Sequence, residues 1–354
     1  MTALGDILAR RIAAAGPMTL ADFMAECLMN PEHGYYATRD PFGRRGDFTT
    51  APEISQMFGE MLGLFLARVW MDQGRPAPFT MAELGPGRGT LMADMLRATK
   101  GVPGFHAAAN PHLVETSAAL REVQRRTLDG YQPRWTDEVD SLPDAPLFLV
   151  ANEFFDALPI RQFQRDPKGW RERQVGLRDG RLVMGLSDPA PIAALDHRLA
   201  DTRPGDVVEV CPGAASVVDL VASRIAANGG VALIIDYGGW RSLGDTFQAL
   251  ADHCPVDPLD SPGEADLTAH VDFESLARAA HGVAHTPMVP QGVFLERLGI
   301  TARAQALAAK LDGAALESHI AAHRRLTHPQ EMGTLFKTLA LCPEGASQLP
   351  GFAE

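Results

Sequence analysis

Cysteine is scarce and unpaired. The four thiols, Cys27, Cys211, Cys254 and Cys342, are scattered through 354 residues. No two stand at short spacing, so neither a zinc knuckle nor a CxxC redox site is encoded, and no metal site is expected. Isolated thiols suit a reducing compartment. Long apolar runs are also missing, and none approaches the ~18 residues of a membrane span. The stretch Met1–Pro17 carries Asp6, Arg10 and Arg11 and lacks the apolar centre of a secretory signal. The expected address is the cytoplasm, or the mitochondrial matrix for a eukaryotic source. Positive charge is in deficit, with 32 Lys plus Arg against 44 Asp plus Glu and a net charge of −12. That excludes general nucleic-acid binding, which depends on basic surface. It is compatible with a cationic partner. Lysine is rarest of the charged types, present only at 100, 168, 310 and 337, which reads as genome composition and not chemistry. No internal repeat or low-complexity block occurs.

What is present fits a folded chain. Hydrophobic residues make up 46% and charged residues 21%, both ordinary for a globular protein. At roughly 150 residues per domain the length allows two domains or one enlarged one. Residues 2–15 read as a helix ended by Gly16-Pro17. Thr19 and Asp22 look like a capping box that opens a second helix to about Met29. Turn formers crowd residues 30–50. Apolar helical spacing then runs from near Pro52 to about Met71. Residues 1–75 are therefore expected to form a helical N-terminal cap.

From Phe79 the pattern becomes alternating strand and helix. Strands are expected at Phe79–Leu84, His112–Glu115, Gln132–Thr136 and Pro146–Ala151, with helices at 90–99 and 117–128. That order predicts a parallel, doubly wound α/β sheet. Short runs at 161–165, 171–177 and 181–186, separated by Asp-Pro-Lys-Gly and Asp-Gly turns, predict β-hairpins inserted at about 160–187. The α/β pattern resumes with Val207–Val210, a helix from Ala214 and the apolar strand Gly230–Asp236. Residues 240–271 read as loop. A helix at 272–280, a strand at 283–289 and two helices within 293–326 complete the pattern. Without a strong linker, residues 76–354 read as one core.

The sharpest local signal is Glu83-Leu-Gly-Pro-Gly-Arg-Gly89, between an apolar strand and a helix. Glycines let the backbone turn tightly and meet a ligand with no side chain between. The GxGxG spacing with a preceding acid differs from the GxGxxG of pyrophosphate sites. With Glu115 ending the next strand and able to accept from two ribose hydroxyls, it points to a nucleoside-bearing cofactor such as S-adenosylmethionine (SAM). The alternative is a tight turn of any α/β fold.

Asn152-Glu-Phe-Phe-Asp156 comes directly after the fourth strand, where substrates meet cofactors in open sheets. Asn152 can fix a nitrogen nucleophile, and Glu153 can orient a guanidinium or ammonium. The alternatives are a capping role for Asn152, a solvated Asp156, and core packing for Phe154 and Phe155. Arg44–Ser55 reads as a lid over a site, or as a helix start capped by Thr50. His270, among carboxylates, is a base or a structural residue, and Asp236-Tyr-Gly238 a site edge or a turn.

Together Asn30–Tyr36, Gly46–Glu60, Glu83–Gly89, Asn152–Pro159, Asp236–Gly238 and Asp266–Phe273 resemble the MidA-like SAM-dependent methyltransferases, from about residue 4 to about 340. That family includes a mitochondrial complex I assembly factor that methylates arginine. The resemblance implies a class I methyltransferase fold, a Rossmann-like seven-stranded sheet with the last strand antiparallel. It implies that Glu83, Gly85, Pro86 and Gly87 lie against SAM, that Glu115 holds the ribose, and that Asp137 contacts adenine. The loop Gly46–Thr50, Thr49 included, would close over the methionine end. Asn152 and Glu153 would face the acceptor, an arginine of a protein such as a complex I subunit. On charge alone, Asp156 is expected to help Glu153 pair with the guanidinium. A small-molecule methyltransferase, a dehydrogenase and a non-catalytic assembly factor remain alternatives. Pro290-Gln-Gly292 departs from the family pattern, where Thr precedes Gln-Gly.

Overall fold

The computed structural model describes residues 2–38, 49–251 and 253–352. Its centre is a sheet built from β1 (Phe79–Leu84), β2 (Ala109–Val114), β3 (Arg134–Thr136), β4 (Leu147–Asn152), β5 (Gly230–Gly239), β6 (Ala284–His285) and β7 (Phe336–Cys342). The spatial order is β3-β2-β1-β4-β5-β7-β6. β1 to β5 pair in parallel, and β7 is antiparallel to both its neighbours. This is the class I methyltransferase fold. Chain order reverses between β1 and β4, which opens a crevice beyond their carboxyl ends.

The central strands are buried on both faces, as parallel sheets are. Val231, Leu233 and Ile235 of β5 join Phe79 and Met81 of β1 and the helix Gln56–Asp72 in one core. Ala232 and Ile234 join Ala82 and Leu84 and the helix Pro212–Asn228 in the other. The N-terminal segment packs in two places. Helices Ala3–Ala15 and Leu20–Met29 share a third core with Val175 and Leu182 of the hairpins, while the helix Gln56–Asp72 belongs to the first. Thr19 does cap the second helix, accepting from the Asp22 N–H at 3.0 Å.

Several elements differ from expectation, each for a non-local reason. The Pro52–Met71 helix is two helices, Ala51–Ile54 and Gln56–Asp72. Ser55 has an extended φ of −161° between them, and its Oγ accepts from the Met57 N–H. Val207–Val210 does not rejoin the central sheet. It pairs antiparallel with Arg161–Gln164 and so belongs to the hairpin sheet. The loop at 240–271 contains a small sheet of Gln248–Ala251, Cys254–Val256 and Asp266–Thr268. The expected strand at 283–289 is two short pieces, both paired with β7. Three helices, not two, lie between Gln291 and Thr327. Within Pro290-Gln-Gly292, where the chain departs from the family pattern, Gln291 is wholly buried and its Nε2 donates to the Leu326 carbonyl.

Candidate active site

A cavity of about 630 Å³ opens at the carboxyl ends of β1, β2, β3 and β4. Below it β1 ends at Glu83 and Leu84, and the chain turns through Gly85 at φ +58° and Gly87 at φ +50° into the helix Thr90–Ala98. Only glycine takes such angles without strain. A Cβ on Gly85 would also lie 2.9 Å from the Phe154 ring. The turn is thus pressed against the Asn152–Asp156 segment; Phe155 is buried in the core as expected, and Phe154 packs against that core while also lining the cavity.

Glu83, Gly85, Pro86, Gly87, Glu115, Asp137, Asn152, Glu153 and Asp156 all line this one cavity. Thr49 does not. It is half-buried nearby, and Thr50, Pro52 and Glu53 form the wall instead. Thr50 also starts the helix Ala51–Ile54. Arg44, Arg45, Gly46, Asp47 and Phe48 of the expected lid lie outside the described residues. His270 lines a separate cavity of about 30 Å³ and packs edge-on against Tyr237. Burial lowers its basicity, which suits a structural residue.

Each carboxylate has a distinct setting. Glu83 is buried and its Oε2 has no hydrogen-bond partner. Burial holds it well above the ordinary carboxylate range, against the Met92 backbone bond. A cation placed there would satisfy it. Glu115 accepts from the Ser117 N–H at 2.8 Å and from Gln124 at 3.2 Å. Asp137 is ion-paired to Arg121 at 2.6 Å at the exposed rim.

After β4 the chain enters Glu153 at φ +51°, a left-handed angle that is strained for a non-glycine residue. Asp236, fully buried at the end of β5, holds the segment in place. Its Oδ2 accepts from the successive N–H groups of Phe154, Phe155 and Asp156, and its Oδ1 from Tyr237. Glu153 Oε1 accepts from the Ala51 N–H at 2.9 Å and from Asn152 Nδ2 at 3.0 Å. Asp156 is buried and not solvated. Asn152 Oδ1 and Asp156 Oδ1 are both buried without partners.

Tyr36, Glu53, Tyr237 and Asp266 also stand in the wall; sequence reasoning gives none of them an individual role, although Glu53 lies in the expected lid and Tyr237 in the expected site edge. Tyr36 donates to Asp266 at 2.9 Å across 230 positions of chain. Both residues stand in motifs that carry the family resemblance, but only folding brings them together.

Among the described residues that line the cavity, Arg88 is the one strong cation, and the other ionisable charges are carboxylates. SAM carries no phosphate and presents an ammonium and a sulfonium. The glycine turn, the unpartnered Glu83 oxygen and the Glu115 carboxylate fit it.

Fold and cavity together define a class I methyltransferase. Residues 61–289 match the family described as "Putative S-adenosyl-L-methionine-dependent methyltransferase". The human protein arginine methyltransferase NDUFAF7, mitochondrial, is 38% identical over 364 residues, covering 94% of this chain and 82% of that protein. The Drosophila melanogaster homolog of that enzyme is 37% identical over 374 residues, covering 96% and 85%. A Burkholderia thailandensis protein crystallised with S-adenosyl-homocysteine superposes with a TM-score of 0.84 at 30% identity, covering 99% of this chain and 94% of that one. The chain belongs to this SAM-dependent methyltransferase family. It is an enzyme, and SAM is its cofactor.

Proposed function

We propose that this methyltransferase modifies an arginine nitrogen of a protein substrate, with Asn152, Glu153 and Asp156 facing the acceptor. One observation carries the reading. The acceptor end of the cavity offers hydrogen-bond acceptors, two of them buried and unpartnered, Asn152 Oδ1 and Asp156 Oδ1. A guanidinium has five N–H donors and no acceptor. The names of the relatives support the same acceptor. The proposed protein substrate is a respiratory complex I subunit. The proposed boundary between cap and core lies near residue 75. The proposed address is a reducing compartment, in keeping with four free thiols: the cytoplasm, or the mitochondrial matrix for a eukaryotic source, the named animal relatives being mitochondrial. No helix among the described residues is long and apolar enough to cross a membrane.

When bound, SAM supplies a methyl group on a sulfonium leaving group. The chain's task is alignment, an effect worth up to about 7–11 kcal/mol. A free guanidinium has a pKa above ~12 and is a poor nucleophile. Glu153, helped by Asp156, would pair with it and localise its charge away from the attacking nitrogen. Asn152 Oδ1 would accept an N–H and fix the angle of approach. After transfer the nitrogen's proton passes to one of the two carboxylates.

The test is methylation of a protein extract from cells lacking this enzyme, read by mass spectrometry. New mono- or dimethylarginine sites are expected. Label confined to lysine, carboxylates or small molecules would overturn the arginine reading.

The same carboxylates should make turnover pH-dependent. Burial pushes the Glu153 carboxyl up to about 7, against the pull of the Ala51 N–H and the Asn152 amide. Burial also raises Asp156, with the Glu153 charge adding to it. Only the ionised pair can hold a guanidinium. Acceptor kcat/KM should therefore fall below pH ~7, by up to about tenfold per unit for each carboxyl that takes up a proton, and level off above it. Stability should move the other way. A carboxyl raised in the fold from its ordinary ~4.3 binds its proton more tightly than in the unfolded chain. Its contribution is full at acid pH and is lost as pH rises through about 7. Profiles of rate and of melting temperature from pH 5 to 9 check both signs.

A further inference from the structure

We propose that Gln124 is the positioning residue of the cofactor site, locking the glycine turn to the Glu115 carboxylate before SAM arrives. Gln124 lies on the helix Ala118–Thr127 and is wholly buried. It does not line the cavity, so it acts through residues that do. Its Nε2 donates to the Gly87 carbonyl at 2.7 Å and to Glu115 Oε2 at 3.2 Å. Its Oε1 accepts from Trp135 Nε1 at 2.7 Å.

The partners fix which way the amide faces. The Gly87 carbonyl only accepts and the indole N–H only donates, so the flipped amide would set like against like at both ends. One side chain therefore joins the turn after β1, the end of β2 and strand β3. The other wholly buried glutamines are less complete. Gln162 and Gln291 each leave Oε1 without a partner. A buried amide is costly unless bonded, and this one spends its bonds on two residues of the cavity wall.

The consequence is pre-organisation. Glu115 Oε1 is held by the Ser117 N–H and Oε2 by Gln124, so both oxygens are oriented in advance. The Gly87 carbonyl is held at the same time, which keeps the turn in its left-handed conformation. The charged groups around Gln124 are Glu115 itself, Arg121, which donates to the Glu115 backbone carbonyl, and Arg125, stacked 5.0 Å over the Trp135 ring.

The inference rests on the cofactor site and not on the arginine reading. Its test is the affinity of purified full-length protein for S-adenosyl-homocysteine, by titration calorimetry at pH 6 and pH 8.5. Q124M keeps the shape and removes the bonds. It should bind about tenfold more weakly at both pH values, the worth of one hydrogen bond to a charged group. Q124E regains a donor only when protonated. The acid has one O–H where the amide donates twice, so at pH 6 it should bind more tightly than Q124M but more weakly than the parent, and at pH 8.5 more weakly again. Ligand-free melting curves confirm that both variants fold. Parent-like affinity in Q124M, or Q124E no tighter than Q124M at pH 6, would overturn the proposal. Failure of the parent itself to bind would overturn the proposal together with the cofactor site, whereas absence of arginine methylation would touch neither.

Discussion

Glu153→Gln is expected to lower arginine methylation by about 10³-fold or more while leaving S-adenosyl-homocysteine binding within a few-fold. The substitution is nearly isosteric. Its amide oxygen can still accept from the Ala51 N–H, the bond that Glu153 Oε1 makes at 2.9 Å. What disappears is the negative charge. Without it the guanidinium has one buried partner fewer, and its charge stays spread over the attacking nitrogen. The parent residue is costly to the fold, being largely desolvated and set at φ +51°. Stability and activity should therefore part, as they do where a site is strained for function. At pH 8 the variant should melt no lower than the parent, and its stability should vary less between pH 5 and 8. Normal turnover in Glu153→Gln would remove the residue from the chemistry. Loss of cofactor binding together with turnover would instead assign it a structural part.

How far the site could be read in advance depended on distance along the chain. The glycine turn was legible because strand, acid and glycines are contiguous, and β1 runs Phe79–Leu84 as its pattern predicted. Asn152 and Glu153 came from a general rule about the ends of parallel strands. The anchors of these residues were not legible. Asp236 holds Phe155 across 81 positions, and Gln124 holds Gly87 across 37. Nothing local in either residue announces that it is a hub. Strand β7 has the same character. Phe336-Lys-Thr-Leu-Ala-Leu-Cys342 shows no clear alternation because its second half is buried on both faces, and its register is set by β5 more than a hundred residues upstream. Val207–Val210 reads as a strand, but pattern gives no partner, and it pairs in the hairpin sheet and not the central one. Ser55 splits a helix whose apolar spacing runs straight through it, because its backbone is extended and its side chain caps the helix Gln56–Asp72. Local periodicity found the elements here, and the long-range hydrogen bonds that position the site emerged only with the fold.

Gly87→Val should abolish cofactor binding altogether. In the parent, SAM at 100 times its dissociation constant stabilises by about 2.7 kcal/mol. For a chain of this size that raises the melting temperature by several degrees, at ~2–4 °C per kcal/mol. NAD should raise it by nothing measurable, since the turn has the GxGxG spacing and not the GxGxxG of pyrophosphate sites. Gly87 sits in that turn at φ +50°, and its carbonyl is the acceptor for Gln124. A β-branched residue is strained at such an angle by about 1–3 kcal/mol. The turn would relax toward negative φ, the Gln124 bond would lengthen, and the backbone would leave the surface on which the cofactor lies. The variant should thus start with a lower melting temperature and gain nothing from SAM. A SAM shift that survives Gly87→Val would mean that the cofactor lies elsewhere in the cavity. A shift with NAD in the parent would instead assign the turn to a dinucleotide.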